Sequence, residues 1–187
     1  MNILWALGTL ILQTTSLVVF DFSEAEQVEV WTIVNDGVMG GISEGAWYQE
    51  DDYAVFEGNV SLENNGGFSS VRIGFRGVDI SDYDGIALEV RGDGQQYAFG
   101  MRDMNSRFDY RYTFEAPVSE DGEWQTIYIP FNETTATFFG ETYPAAPAFD
   151  TSRARGMNII ISDEQEGEFR LEIASIALYA ETEDEEI

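Results

Sequence analysis

Apolar and aromatic residues recur along this chain in short alternating runs, each closed by Gly, Asn or Asp, and nowhere in the sustained 3.6-residue rhythm of a long helix. Such patterning predicts stacked antiparallel sheets. The runs place strands at Leu17–Phe22, Glu29–Val34, Ala46–Gln49, Tyr53–Val60, Phe68–Phe75, Gly85–Arg91, Gln95–Arg102, Asp109–Phe114, Gln125–Pro130, Gly156–Ile161 and Phe169–Tyr179. A spacing of about ten residues between them is that of an all-β sandwich. In Val55-Phe56-Glu57-Gly58-Asn59-Val60 and Phe169-Arg170-Leu171-Glu172-Ile173 the alternation is clean, with apolar side chains inward and charges outward. Gly156-Met157-Asn158-Ile159-Ile160-Ile161 is more continuously apolar, which predicts a strand in the middle of a sheet. Ser23-Glu24-Ala25-Glu26 reads as one capped turn of helix, and Phe131 to Gly140 as a second short irregular helix.

A chain of 187 residues can enclose one substantial core, and no repeat or low-complexity linker divides it. Residues 17–180 therefore read as a single domain. Ahead of it, Ile3 to Leu12 form an apolar run too short to span a bilayer, followed by the small residues Thr14-Thr15-Ser16. Residues 1–16 read as a signal peptide, with the α-amino group as its only positive charge; the alternatives are a misplaced start or a strand of the domain. On this reading export, periplasmic or extracellular, is favoured over a cytoplasmic location, and the mature domain has no membrane span. Residues 181–187 form an acidic tail too polar to pack.

Composition removes much chemistry. Cysteine, histidine and lysine are all absent, and with them disulfides, thiolate and imidazole catalysis, the usual zinc, copper and haem ligands, Schiff-base formation and the phosphate-binding P-loop lysine. No cofactor is expected. All nine positive side chains are arginines, against 35 acids and a formal charge of −26. That excess of anionic groups argues against nucleic acid and against an anionic membrane surface as partners. The acids are spread along the chain, as in proteins that work in concentrated salt, where a Debye length of about 3 Å at 1 M suppresses self-repulsion. The expected result is a melting temperature that rises by at least about 3 °C between dilute buffer and 1 M KCl. A flat or falling Tm in that titration would remove the salt-adaptation reading.

Two glycine-punctuated segments interrupt the strand pattern: Asn35-Asp36-Gly37-Val38-Met39-Gly40-Gly41-Ile42-Ser43 and Asn64-Asn65-Gly66-Gly67-Phe68-Ser69-Ser70-Val71-Arg72. Glycine serves where φ is positive or backbones pass closely, and Asn and Asp tolerate the left-handed region while bonding nearby main chain. Both segments read as shaped loops.

Trp31-x-x-Val34 followed by the first loop, paired with the second loop, resembles the complex I intermediate-associated protein 30 family. The likeness continues, in that family's order, through Asp79-Ile80-Ser81-Asp82-Tyr83-Asp84-Gly85-Ile86, Val90-Arg91-Gly92-Asp93-Gly94-Gln95-Gln96-Tyr97 and Trp124-Gln125-Thr126-Ile127-Tyr128-Ile129-Pro130-Phe131. It runs from Phe20-Asp21-Phe22 to Leu171-Glu172-Ile173. The resemblance implies a galactose-binding-like, jelly-roll β-sandwich similar to carbohydrate-binding modules, with non-catalytic members linked to assembly of respiratory complex I.

Candidate site residues fall into three groups. Asn35, Asp36, Asn64, Asn65 and Ser69 can present polar groups at one rim of the sandwich, although Asx side chains beside glycine more commonly satisfy their own loops. Arg72 and Arg91, near Asp79, Asp82, Asp84 and Asp93 in sequence, are expected to form bidentate pairs with carboxylates rather than an anion site. Trp47, Tyr97, Phe99, Tyr110 and Tyr112 offer aromatic surface, with alternation placing Tyr110 and Tyr112 on one face as a candidate sugar-binding strip; the competing role is core packing. Asp103, Asn105 and Asp109 have oxygen-ligand spacing but lack the glycine and closing glutamate of a calcium loop, so no metal is assigned. The leading expectation is a non-enzymatic module that binds a protein partner or complex-assembly intermediate. An exported carbohydrate-binding module is the alternative, and a carboxylate-based glycoside hydrolase is a more distant one.

Overall fold

The computed structural model describes residues 13–118 and 122–182, which form thirteen strands in two antiparallel sheets. Along the chain these are β1 (Gln13–Asp21), β2 (Thr32–Asn35), β3 (Glu44–Glu50), β4 (Tyr53–Val60), β5 (Ser69–Val78), β6 (Gly85–Gly92), β7 (Gln96–Asp103), β8 (Asp109–Glu115), β9 (Gln125–Pro130), β10 (Thr135–Phe138), β11 (Glu141–Thr142), β12 (Ala154–Ile161) and β13 (Gly167–Thr182). One sheet has the order β3-β4-β13-β6-β9, with β1 added against β13; the other runs β11-β10-β8-β7-β12-β5-β2. The architecture is the galactose-binding-like β-sandwich that the resemblance implies. Among the described residues no helix is long and apolar enough to cross a membrane.

The inner faces interdigitate through aromatic rings. Phe56, Tyr97 and Phe169 meet across the layers, and Tyr110, Phe131 and Phe149 form a second group near the other end. Each such buried ring contributes about 1.5–3 kcal/mol of transfer free energy, which makes this layer the main source of cohesion. β12 lies between β7 and β5, in the sheet interior as its apolar run predicts, with Met157, Ile159 and Ile161 in the core. In β13 the inward residues are Phe169, Leu171 and Ile173, then Ile176 and Leu178. The change of phase coincides with a register shift against β6 between Ile173 and Ser175, because one extra residue in a strand reverses which side chains face the core.

Several local expectations differ from the structure. Glu29–Val34 is divided between a helical turn, α1 (Ala25–Glu29), and β2; Val28 and Trp31, three residues apart, bury one side of the turn where strand alternation would have exposed one of them. Phe131–Glu133 is a single 3₁₀ turn, and Thr135–Phe138 is a strand paired with β8. β4 is buried on both sides at Tyr53 and Val55, where Trp124 and the Arg91 guanidinium cover the Tyr53 ring. Gly45 and Gly58 pair across β3 and β4; a Cβ at Gly58 would lie 2.0 Å from the Glu44 carbonyl oxygen. Thr14, Thr15 and Ser16 pair with Glu181, Ala180 and Tyr179, so β1 and β13 both extend beyond the boundaries read from sequence. Residues 1–12 of the expected signal peptide and residues 183–187 of the acidic tail lie outside the described residues.

Candidate functional site

The two glycine loops are joined by one carboxylate. Asp36 is fully buried; its Oδ1 accepts from the Ser43 N–H at 3.0 Å, and its Oδ2 accepts from the Ser43 hydroxyl and from the Gly67 and Phe68 N–H groups at 2.7 and 3.3 Å. Burial alone would raise its pKa, but the hydrogen bonds from Ser43, Gly67 and Phe68 outweigh that cost and hold the carboxyl below its ordinary 3.8. Glycine is required beside it. A Cβ at Gly41 would come within 2.4 Å of the Asp36 side chain, and one at Gly66 within 2.6 Å. Gly40 closes the first loop at φ 94°, and Asn64 takes φ 57° in the 3₁₀ turn Glu63–Asn65. Asn35 Oδ1 accepts from the buried Ser69 hydroxyl at 2.7 Å. The polar groups of Asn35, Asp36 and Ser69 are turned toward the loops themselves.

The aromatic candidates separate. Tyr97 and Tyr110 are each 1% exposed, Tyr97 against Phe114 and Phe169 with its hydroxyl on Asp93, Tyr110 against Phe149. Tyr112 shares the inward face and packs on the core half-buried. Alternation did place Tyr110 and Tyr112 together, but on the face toward the opposite sheet, so they offer no solvent-facing strip. Trp47 packs edge-on against Phe22 and at a tilt against Trp31, and its indole N–H donates to the Val28 carbonyl at 2.9 Å. Asp103 accepts from the Asn105, Ser106 and Asp150 N–H groups, which gives it a loop-forming role.

Arg91 pairs with Glu172, which faces it across β6 and β13, and not with the aspartates near it in sequence. Its Nη1 donates to the Gly122 carbonyl, and its guanidinium lies 4.4 Å from the Trp124 ring centroid. Arg72 has no carboxylate partner among the described residues. Its Nε donates to the Ser70 hydroxyl at 2.9 Å.

Arg72 belongs to an arrangement that no local motif shows. On the outer face of the seven-stranded sheet, Arg72 and Arg76 of β5, Arg102 of β7 and Arg155 of β12 line an open groove of about 810 Å³. The strands part here for a structural reason. Against β7, Gly156 faces Arg102 and Ala154 faces Asp103, which leaves Arg155 as the extra residue of a bulge; against β5, Gly156 faces Gly74 and Ala154 faces Val78, which interrupts that ladder opposite residues 75–77. Gly74 and Gly156 keep the floor free of side chains, and exposed Met104 forms an apolar wall. None of the four arginines is in an ion pair among the described residues. The Arg155 Nε is buried without a hydrogen-bond partner there. Burial, and then the neighbouring Arg102, push the Arg72 pKa down; nearby Asp109 opposes them, and Arg111 adds to them. Asp109 is held by Arg111 Nε at 2.9 Å and Asn158 Nδ2 at 2.8 Å.

The fold is a two-sheet jelly roll with loops locked at one rim and an open, arginine-lined face on the seven-stranded sheet. Among solved structures the chain is similar to the family 11 carbohydrate-binding module of the cellulase Lic26A-Cel5E of Clostridium thermocellum (TM-score 0.68, 14% identity, 92% of this chain and 98% of that one). It is also similar to the family 30 module of Cel9D-Cel44B from the same organism (TM-score 0.58, 14% identity, 91% and 99%). At these identities the likeness is one of fold. The family is given by sequence: residues 20–173 match complex I intermediate-associated protein 30, and the chain belongs to that family.

Curated relatives include the probable mitochondrial complex I intermediate-associated protein 30 of Caenorhabditis elegans, 25% identical over 183 residues that cover 87% of this chain and 54% of the relative. The corresponding mitochondrial protein of Mus musculus is 24% identical over 184 residues, covering 88% and 56%. The chain thus spans about half the length of the curated relatives it matches. These names correct the expectation of export: both relatives are named as mitochondrial proteins, which points to an intracellular location.

Proposed function

We propose that this chain is a non-catalytic module that assists assembly of respiratory complex I by holding a protein partner on the outer face of its seven-stranded sheet. Membership of the intermediate-associated family supports the assembly role. The observation that carries the binding face is the concentration in one groove of four arginines without an ion-pair partner among the described residues, in a chain with formal charge −26. With 35 acids available, unpaired arginines are costly to keep together unless a partner uses them. The carbohydrate alternative loses its platform, since Tyr97 and Tyr110 are buried.

The test is deletion of the gene in its source cells, with complex I followed by native electrophoresis and NADH-dehydrogenase staining. The expected result is accumulation of partial complexes and loss of the fully assembled enzyme, restored by the wild-type chain but not by the Arg72→Glu/Arg155→Glu double variant. Undiminished complex I in the deletion strain would overturn the assembly role.

A further inference from the structure

Resting on that reading of the sheet face, we propose that the arginine groove binds an extended acidic segment of the partner protein, with carboxylates at alternate positions held in the guanidinium forks. Spacing is the first argument. Arg72 and Arg76 are four residues apart on β5, about 13 Å at strand rise, and β7 lies two ladder steps from β5, about 10 Å away. A groove of those dimensions takes about four residues of extended chain. Side chains at alternate positions of such a segment share one face about 7 Å apart, so the first and third of three such acids span the distance of about 13 Å between Arg72 and Arg76.

The second argument is chemical. A guanidinium presents a planar set of donors that matches a carboxylate bidentately, and the buried Arg155 Nε has a donor that such an oxygen would satisfy. Met104 and the glycine floor accommodate the aliphatic stems and backbone of a peptide. Third, the remaining surface selects against extended polyanions. A duplex or a bilayer engages a wide area and would meet the surplus of acids, whereas a short peptide strand meets only the groove.

The experiment measures fluorescence anisotropy of a labelled Gly-Glu-Gly-Glu-Gly-Glu-Gly peptide with the full chain at about 0.15 M salt, where the Debye length of about 8 Å confines the interaction to the groove. Binding is expected to weaken about tenfold or more when the glutamates are replaced by glutamine, and by a similar factor in Arg72→Ala and in Arg155→Ala. Arg107→Ala, on a loop outside the groove, is expected to leave affinity unchanged, and near-native melting temperatures of all three variants exclude unfolding as the cause. Equal binding of the glutamine peptide, or undiminished binding by both groove variants, overturns the proposal. Displacement by inorganic phosphate at the same concentration as the glutamate peptide overturns it in favour of a general anion site. A truncation after Thr182 that strengthens peptide binding overturns it in favour of the chain's own acidic end as occupant; unchanged affinity supports a separate partner. Because these measurements use the purified chain, their failure leaves the assembly role standing, and normal complex I in a deletion strain leaves peptide binding standing.

Discussion

Replacing Asp36 by Asn is expected to lower the folding stability of this chain by about 3 kcal/mol at neutral pH, a fall in Tm of about 6–12 °C for a domain of this size. The carboxylate gathers donors from three separate positions, Ser43, Gly67 and Phe68, and no water can replace it at a fully buried site. Asparagine has nearly the same shape, but it offers one accepting oxygen and turns an NH₂ group toward N–H donors. At least one buried donor then stays unsatisfied, at a cost of about 1–3 kcal/mol, and the charge-assisted bonds of the others are lost.

The pH dependence of that difference is a separate check. The folded carboxyl titrates below its ordinary 3.8, so the unfolded state binds protons more readily. Its stabilisation is complete above the unfolded pKa and disappears as pH falls through the lower folded value. The difference in Tm between wild type and Asp36→Asn should therefore be full at neutral pH and shrink well below pH 3.8. A gap that stays constant down to the most acidic pH at which both fold would show that shape, and not charge, holds the loops.

How much of this was legible in the sequence depends on whether the cause was local. The sheets were legible because alternation with period two is written into β4 and β13 and a continuous apolar run into β12, and the glycine loops because the close approach to Asp36 excludes a Cβ at Gly41 and Gly66. The helical turn was legible at Ser23-Glu24-Ala25-Glu26, but its extent to Glu29 was not, because Val28 and Trp31 follow a helical spacing too brief to register as a period. The fate of Tyr110 and Tyr112 was half legible: parity put them on one face, but only the arrangement of the opposite sheet decides that this face is the core. The arginine groove lay beyond reading along the chain. Its members come from β5, β7 and β12, which are neighbours only once the strand order is known, and Arg155 projects there because of a bulge. Arg72-x-x-x-Arg76 across Gly74, all with outward parity, was the one local signal.

The opposite sheet treats its arginines differently, and that contrast yields a second large effect. Arg170 reaches Glu57 at 2.6 Å, Glu50 at 3.1 Å and Glu172 at 2.8 Å, while Tyr48 and Tyr53 donate their hydroxyls to Glu57 and Glu50. Arg91 holds the other oxygen of Glu172. An isolated pair at this degree of exposure, 36% for the Arg170 side chain, contributes at most about 1 kcal/mol. Removing Arg170 does more than end three pairs, because it leaves neighbouring glutamates facing one another with Arg91 alone to offset them. Arg170→Ala is expected to cost about 2 kcal/mol, or about 4–8 °C in Tm, in dilute buffer. In 1 M KCl, where screening acts over about 3 Å, the loss should fall to less than about half. Arg170→Lys keeps the charge but cannot form the fork to Glu172 and two further acids at once, so it should recover only part of the difference. Equal losses for Arg170→Ala at both salt concentrations would assign the effect to packing of the aliphatic stem, and would leave the acidic surface without the electrostatic role that this cluster gives it.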